Sequence, residues 1–157
     1  MTPSAPAVST PPRAIIRAVW AAHRTLVRLS GGRLGLYPPR RGRRMGMMRV
    51  HAIGRTSGRP RPVILGYFLD GERIVTLAMN GWAAADPGWW RNLQVNPETR
   101  VDLGTRRMTA RARAAEGSER EQLWTGFGEH PGWGDVDAFS AARRPNGTAV
   151  VVLEPVA

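Results

Sequence analysis

A chain of 157 residues with 42% hydrophobic and 22% charged side chains is sized for one domain with a modest core. Its lack of cysteine excludes disulfides, thiolate metal sites and cysteine nucleophiles, and no apolar run reaches the ~18 residues of a membrane span. All 23 basic residues are arginine, 13 of them before Asp70 with no acid and 10 after Leu69 with 12 acids; the net +11 therefore sits in the front half and points to an anionic partner, whether nucleic acid, anionic lipid or a phosphorylated small molecule.

Residues 1–12 read as a flexible Pro/Ala/Ser/Thr tail without the charged start and apolar core of a signal peptide, so a cytoplasmic protein is expected. Residues 13–30 follow as an amphipathic helix. Arg13, Arg17, Arg24 and Arg28 fall on one stripe and Ile15, Val19, Ala22, Leu26 and Leu29 roughly opposite. Gly31-Gly32 stops it. A basic Gly/Pro linker occupies residues 31–46, and the single domain then runs on to residue 157.

Strand signals come next, over Met47 to Ile53, Pro62 to Leu69 and Arg73 to Met79. The last two flank Asp70-Gly71, a strong hairpin signal. Asp86-Pro87 reads as an N-cap followed by proline at the first helical position, opening a helix to about Val95. Thr99 to Leu103 and Arg106 to Ala115 form a second hairpin around Gly104-Thr105. In its second strand Met108, Ala110, Ala112 and Ala114 point one way and Arg107, Thr109, Arg111 and Arg113 the other. Ser118 and Glu121 make a capping-box pattern before a helix to Phe127. A further helical turn or two spans Asp135 to Ala142, and Thr148 to Leu153 closes the chain as an apolar strand. Six strands joined by tight turns predict a mainly β (α+β) fold, an antiparallel six-stranded barrel with short peripheral helices.

Two constellations carry possible chemistry. Gly54-Arg55-Thr56-Ser57-Gly58-Arg59-Pro60-Arg61, between two strands, offers three guanidiniums and two hydroxyls suited to phosphate or carboxylate oxygens, with turn amides as a further anion nest. Trp82, Trp89, Trp90 and Trp133, with Tyr67 and Phe68, supply the aromatic walls that planar ligands use. For any one of these tryptophans, core or helix packing is the commoner role. His23, His51 and His130 have no metal-ligand spacing, and no nucleophile elbow or phosphate loop is present. An enzyme of this composition leaves the hard step to a bound cofactor. No recognised nucleic-acid-binding motif accompanies the arginines.

These residues resemble the deazaflavin-dependent nitroreductase family, whose members use the reduced 8-hydroxy-5-deazaflavin coenzyme F420. The resemblance rests on Gly54 to Arg61, on Asp86-Pro-Gly-Trp-Trp-Arg-Asn-Leu-Gln-Val-Asn-Pro97, and on Ala112 to Trp124 with Val150 to Pro155. It implies a split β-barrel and hydride transfer from the reduced coenzyme to a small electrophilic acceptor such as a quinone, nitroaromatic or activated alkene. Matched residue by residue, Arg55, Thr56, Ser57, Gly58 and Arg61 would form the phosphate and tail loop. Ile64, Leu65, Ala78, Met79, Asn80, Trp89 and Asn92 would surround the deazaflavin ring. Trp20, Tyr67, Trp82, His130 and Trp133 would shape the substrate pocket, with Tyr67 and His130 as candidate proton donors. One stretch departs from the pattern: Met79-Asn80-Gly81-Trp82 stands where the family has Ser-Lys-Gly-Gly. That departure keeps open a non-catalytic or altered-ligand split-barrel protein that binds lipid, haem, FMN or no cofactor. The arginine stripe keeps open peripheral contact with an anionic membrane. Monomer and homodimer are both compatible with the sequence.

Overall fold

The computed structural model describes residues 12–32, 34–79, 84–143 and 147–157. Asn80, Trp82 and nearly all of the tail expected over residues 1–12 lie outside these residues. The elements run in the order α1 (Arg13–Leu29), β1 (Gly46–Ile53), β2 (Pro60–Asp70), β3 (Arg73–Leu77), α2 (Gly88–Val95), β4 (Glu98–Leu103), β5 (Arg106–Ala114), α3 (Gly117–Glu129), α4 (Val136–Arg143) and β6 (Val150–Pro155).

The six strands close into a barrel in the order β1-β2-β3-β6-β5-β4, with β4 returning to β1. Every pairing is antiparallel, the six-stranded architecture that the strand signals and tight turns predict. Alternation decides what goes inside. Met48, Val50, Ala52, Leu65, Tyr67, Val101, Ala110, Ala112, Val151 and Leu153 fill the barrel, and Trp89, Trp90 and Leu93 of α2 plug it. The outward face of β2, β3 and β6 carries Phe68, Val75, Leu77, Val150 and Val152, which Leu123, Phe127 and Val136 of α3 and α4 cover. In β5 the expected split holds: Ala110 and Ala112 are buried while Arg107, Thr109 and Arg111 are exposed. The hairpin at Gly71 pairs Asp70 with Arg73. Gly71 has φ +61°, a conformation that other residues adopt only at a cost.

Several boundaries correct the sequence reading. Pro87, not Asp86, is the N-cap of α2, and Gly88 is its first residue. The capping box at Ser118 and Glu121 does not form, because α3 starts at Gly117, two residues earlier than a Ser118 cap requires, and Glu116 takes the cap position without a side-chain bond. β3 ends at Leu77 and β6 begins at Val150, so Met79 and Thr148 lie just outside the sheet.

Charge ties α3 to the barrel. Glu119 accepts from Arg113 on β5 at 2.7 and 2.8 Å and from Arg73 on β3 at 2.7 Å, while Arg113 also donates to Glu154 on β6 at 2.8 Å. The Arg113 hydrogen bonds, followed by those of Arg73, hold the Glu119 carboxyl down at about 2.

Helix α1 departs most from the usual pattern, in which an amphipathic helix lays its apolar stripe on the body. It docks instead through its C-terminal half. Val27 is buried with Leu36, Met47 and Ile64 on the outside of β1 and β2, and His23 Nε2 donates to the Gly35 carbonyl at 2.9 Å. Ile15, Val19, Leu26 and Leu29 remain exposed. Among the described residues no helix is long and apolar enough to cross a membrane.

Candidate functional site

At one end of the barrel, the β1–β2 hairpin and the start of α2 enclose a cleft of about 480 Å³, within the usual range for a small-molecule site. Gly54 and Arg59 close the hairpin loop, with the Gly54 amide donating to Arg59 O at 2.9 Å and the Gly58 amide to Gly54 O at 2.8 Å. The loop therefore keeps its shape while Arg55, Thr56 and Ser57 stay exposed. In β2, Arg61 pairs with Ala52, and Val63 with Val50. Both lie on the strand face that continues into the barrel interior, so both side chains reach the cleft.

Asn92 fixes the other wall. It lies one turn after Trp89 on the buried face of α2, and its Oδ1 accepts from the Arg55 amide and from Arg55 Nη1, both at 3.1 Å. A buried amide with two partners in the hairpin loop clamps that loop to the helix. Trp89 Nε1 donates to the Met79 carbonyl at 3.5 Å, orienting the indole as an aromatic wall of the cleft.

The electrostatics are one-sided. Among the described residues, two guanidiniums, Arg55 and Arg61, line the cleft and no carboxylate does. Pro87 and Gly88 also line it, so the N-terminus of α2 opens onto the same space. The Gly88 and Trp89 amides, at the start of a helix, have no acceptor within it, and the N-cap residue Pro87 offers no side-chain cap. Such amides together with the positive end of the helix dipole favour an anion there. The cleft suits an elongated anion with a planar group: oxygens toward the arginines and hydroxyls, a ring against Trp89 and Val63.

Of the residues singled out from the sequence, Arg55, Thr56, Ser57, Arg61, Trp89 and Asn92 come together in this cleft. Gly58 forms the turn beside them at φ +64°. Met79 touches the site through its carbonyl. Ile64 instead faces outward under α1, and the Leu65 and Ala78 side chains are buried in the barrel core.

The expected substrate-pocket residues do not join them. Tyr67 pairs with Gly46 at the far end of the hairpin. At ~3.3 Å per residue that is roughly 20 Å along β2 from Arg61. Its ring is 1% exposed, and burial pushes the phenol up to about 12, with Arg106 acting weakly the other way. His130 is stacked on Phe68 at 5.0 Å and bonded through Nδ1 to the Gly126 carbonyl at 2.8 Å, outside the barrel. Trp133 packs edge-on to Phe127 and close to Gly66. Trp20 lies on α1 beside His23. None of the four lines the cleft. Asn80 and Trp82 lie outside the described residues. Val63, Pro87 and Gly88 were not anticipated. Alternation two residues on from Arg61 points to the first, and a helix start facing a basic loop points to the other two.

The model of the F420H(2)-dependent quinone reductase family matches residues 22–155. An F420H(2)-dependent quinone reductase of Mycobacterium tuberculosis is 28% identical over 106 residues, covering 66% of this chain and 70% of that protein. Two solved structures have the same fold. One, described as a domain-swapped dimer, superposes with a TM-score of 0.63 at 23% identity over 88% of this chain and 99% of its own. The other, an F420-H2 dependent reductase, does so with a TM-score of 0.60 at 24% identity over 69% of this chain and 93% of its own.

Proposed function

The chain belongs to the F420H(2)-dependent quinone reductase family, and from that premise we propose that the cleft between the β1–β2 hairpin and α2 holds coenzyme F420 for the reduction of a quinone-type acceptor. The enzyme is an F420-dependent oxidoreductase, and the ligand alternatives that the sequence leaves open give way to that coenzyme. One observation carries the assignment of the site: Arg55, Arg61 and the N-terminus of α2 converge on a single space that no carboxylate lines among the described residues. A deazaflavin with a phosphate and a glutamate tail is the kind of ligand this arrangement fits.

Bound F420H2 supplies a hydride, and the residues of the chain supply position and charge. Arg55 and Arg61 meet the phosphate and tail carboxylates with charge-assisted hydrogen bonds. Thr56 and Ser57 add hydroxyl donors, and the Gly88 and Trp89 amides add neutral ones. Trp89 and Val63 hold the ring edge and exclude water from it. Asn92 keeps Arg55 in place. Reduction of a quinone by that hydride would need one further proton. Among the described residues, the cleft lining includes no carboxylate or imidazole to supply it. Nitroaromatics and activated alkenes would be served by the same geometry, since none of the lining groups is specific for a quinone oxygen.

Titration with oxidised F420, followed by its fluorescence, tests the site. An Arg55→Ala/Arg61→Ala double variant should bind at least about a hundredfold more weakly, as two charge-assisted bonds at about 1.5–3 kcal/mol each are removed. Unchanged affinity would move the coenzyme elsewhere. Turnover with a quinone, a nitroaromatic and an enone, each compared by kcat/KM, should rank the quinone first.

A further inference from the structure

Among the described residues, the barrel is closed by its shortest ladder. β1 and β4 pair only at Arg49–Asp102 and Val50–Val101, whereas β1 pairs with β2 from Gly46 to Ile53 and β4 with β5 from Glu98 to Leu103. Past Val50, β1 parts from β4 and keeps β2 beside it. The next residues along the chain are Gly54 and Arg55 of the hairpin loop. On the other side of the opening, α2 runs into β4 through Asn96 and Pro97, and the Ala112 amide of β5 donates to the Pro97 carbonyl at 2.8 Å. Helix α2 fills the opening from the inside, packing against β1 and β5. The two walls of the cleft therefore belong to opposite sides of the line along which β1 and β4 part, and the bond from the Arg55 amide to Asn92 Oδ1 crosses that line.

Side chains take over where the backbone pairing stops. One more step of the β1–β4 register would set His51 opposite Arg100. Both lie on the outer face, since Val50, Ala52 and Val101 between them fill the barrel. His51 Nε2 lies 2.7 Å from Asp102 Oδ2. Arg100 Nη2 lies 3.1 Å from His51 Nδ1 and 3.2 Å from Nε2. A carboxylate accepts and a guanidinium donates, so one tautomer serves both neighbours: the Nε2 hydrogen goes to Asp102, and Nδ1 accepts from Arg100. The imidazole is thus held from both sides by the strand that β1 is leaving. His51 and Asp102 are largely shielded from water, which makes the link firmer than an exposed pair. Arg100 and Arg107 stand 3.8 and 3.6 Å from the other Asp102 oxygen and balance its charge.

We propose that Asp102, His51 and Arg100 form a staple that sets the width of the coenzyme cleft from outside it, with His51 as a positioning residue. The proposal rests on the reading of that cleft as the F420 site. None of the three lines the cleft, so they act through the hairpin. Arg55 lies five residues beyond the last β1–β4 pair, a lever of at most roughly 17 Å at ~3.3 Å per residue. A slight swing of β1 about Val50 moves Arg55 and Arg61 away from α2, and a misplacement of about 1 Å is enough to spoil a bound geometry. The staple acts at the first residue where such a swing can begin.

Two variants of the full-length protein test this. His51→Leu keeps much of the bulk and removes both bonds. His51→Gln restores a donor toward Asp102 and an acceptor toward Arg100. In the coenzyme-free protein, hydrogen exchange at the Arg55 amide should quicken about tenfold in His51→Leu, while amides of the β3–β6 ladder exchange as in the wild type. His51→Gln should recover most of the protection. F420 affinity should follow the same order, falling about tenfold in His51→Leu and returning in His51→Gln. In turnover the loss should appear in KM for F420H2, with kcat within about twofold of the wild type. Wild-type exchange at Arg55 together with wild-type affinity in His51→Leu would overturn the proposal. So would exchange that quickens equally in β3 and β6, the mark of a general loss of stability, or a His51→Gln variant no better than His51→Leu. A wild type that binds no F420, with Arg55 exchange still rising in His51→Leu and recovering in His51→Gln, would overturn the coenzyme reading of the cleft and leave the staple in place.

Discussion

Asn92 holds the two walls of the cleft together with one oxygen. Replacing it with alanine removes both bonds to Arg55. The Arg55 side chain is exposed, so water satisfies the abandoned donors and the stability cost should stay at about 1 kcal/mol. The larger effect falls on binding. A loop that must be ordered anew when the anion arrives loses about tenfold in affinity. Fluorescence titration of Asn92→Ala beside a denaturant melt checks both parts, and a loss of stability without a loss of affinity would mean that the clamp serves only the fold. Tyr67 gives the opposite expectation. Its phenol is buried and raised to about 12, above an ordinary value of ~10. Burial favours the protonated form, so the native state keeps a proton that the unfolded chain gives up near pH 10. The contribution to stability is therefore full below pH 10 and is lost as pH rises toward 12. Tyr67→Phe should flatten that alkaline decline in thermal melts while leaving the pH profile of kcat unchanged. A kcat that falls with this substitution would return Tyr67 to the chemistry.

At the scale of elements, α3 sits as close to the barrel as its sequence allows. A Cβ on Gly126 would lie 2.5 Å from the Phe68 ring. Phe68 is itself wedged between Phe127 and His130, so the ring has nowhere to go. Gly126→Ala should cost about 1–3 kcal/mol by overpacking, even though alanine is the better helix former. A chemical denaturation midpoint that rises would show that α3 can slide outward. Period-two alternation and the turn pairs at Asp70-Gly71 and Gly104-Thr105 made the strands legible, because in a closed barrel each strand has one wet and one dry face. The caps were less legible. Asp86 and Ser118 have the right chemistry for N-caps, but the observed caps are Pro87, one residue after the first, and Glu116, two residues before the second. Helix α1 misleads for a different reason. Amphipathicity reports that a face is to be covered and not what covers it, and here the covered residues are His23 and Val27 at the margin of the stripe.

For the molecule as a whole, the arginine-rich front half is not one surface. Arg41 pairs with Glu129 at 2.7 Å, and in the back half Arg113 and Arg73 are tied to Glu119, as Arg100 and Arg107 are gathered around Asp102 at 3.8 and 3.6 Å. The charge excess read from the sequence is real. Its meaning depends on which guanidiniums are left facing a cleft without acids, and this is decided by the β1–β2 pairing that brings Arg55 and Arg61 to α2. The hairpin loop and the α2 motif were recognisable as a pair from their residues. Tyr67, His130 and Trp133 were not placeable, because the face on which a residue falls depends on register and on which helix covers it. The division of charge leads to a last expectation. Binding through exposed guanidiniums is screened by salt, whose Debye length falls from ~10 Å at about 0.1 M to ~3 Å at about 1 M. F420 affinity of the wild type should fall across that range, and that of Arg55→Ala/Arg61→Ala should hardly change. Arg59→Ala leaves the salt slope close to that of the wild type, since Arg59 is exposed in the same loop but does not line the cleft. Equal salt slopes in the wild type and the double variant would show that the net charge of the front half, and not the two cleft arginines, draws the coenzyme in.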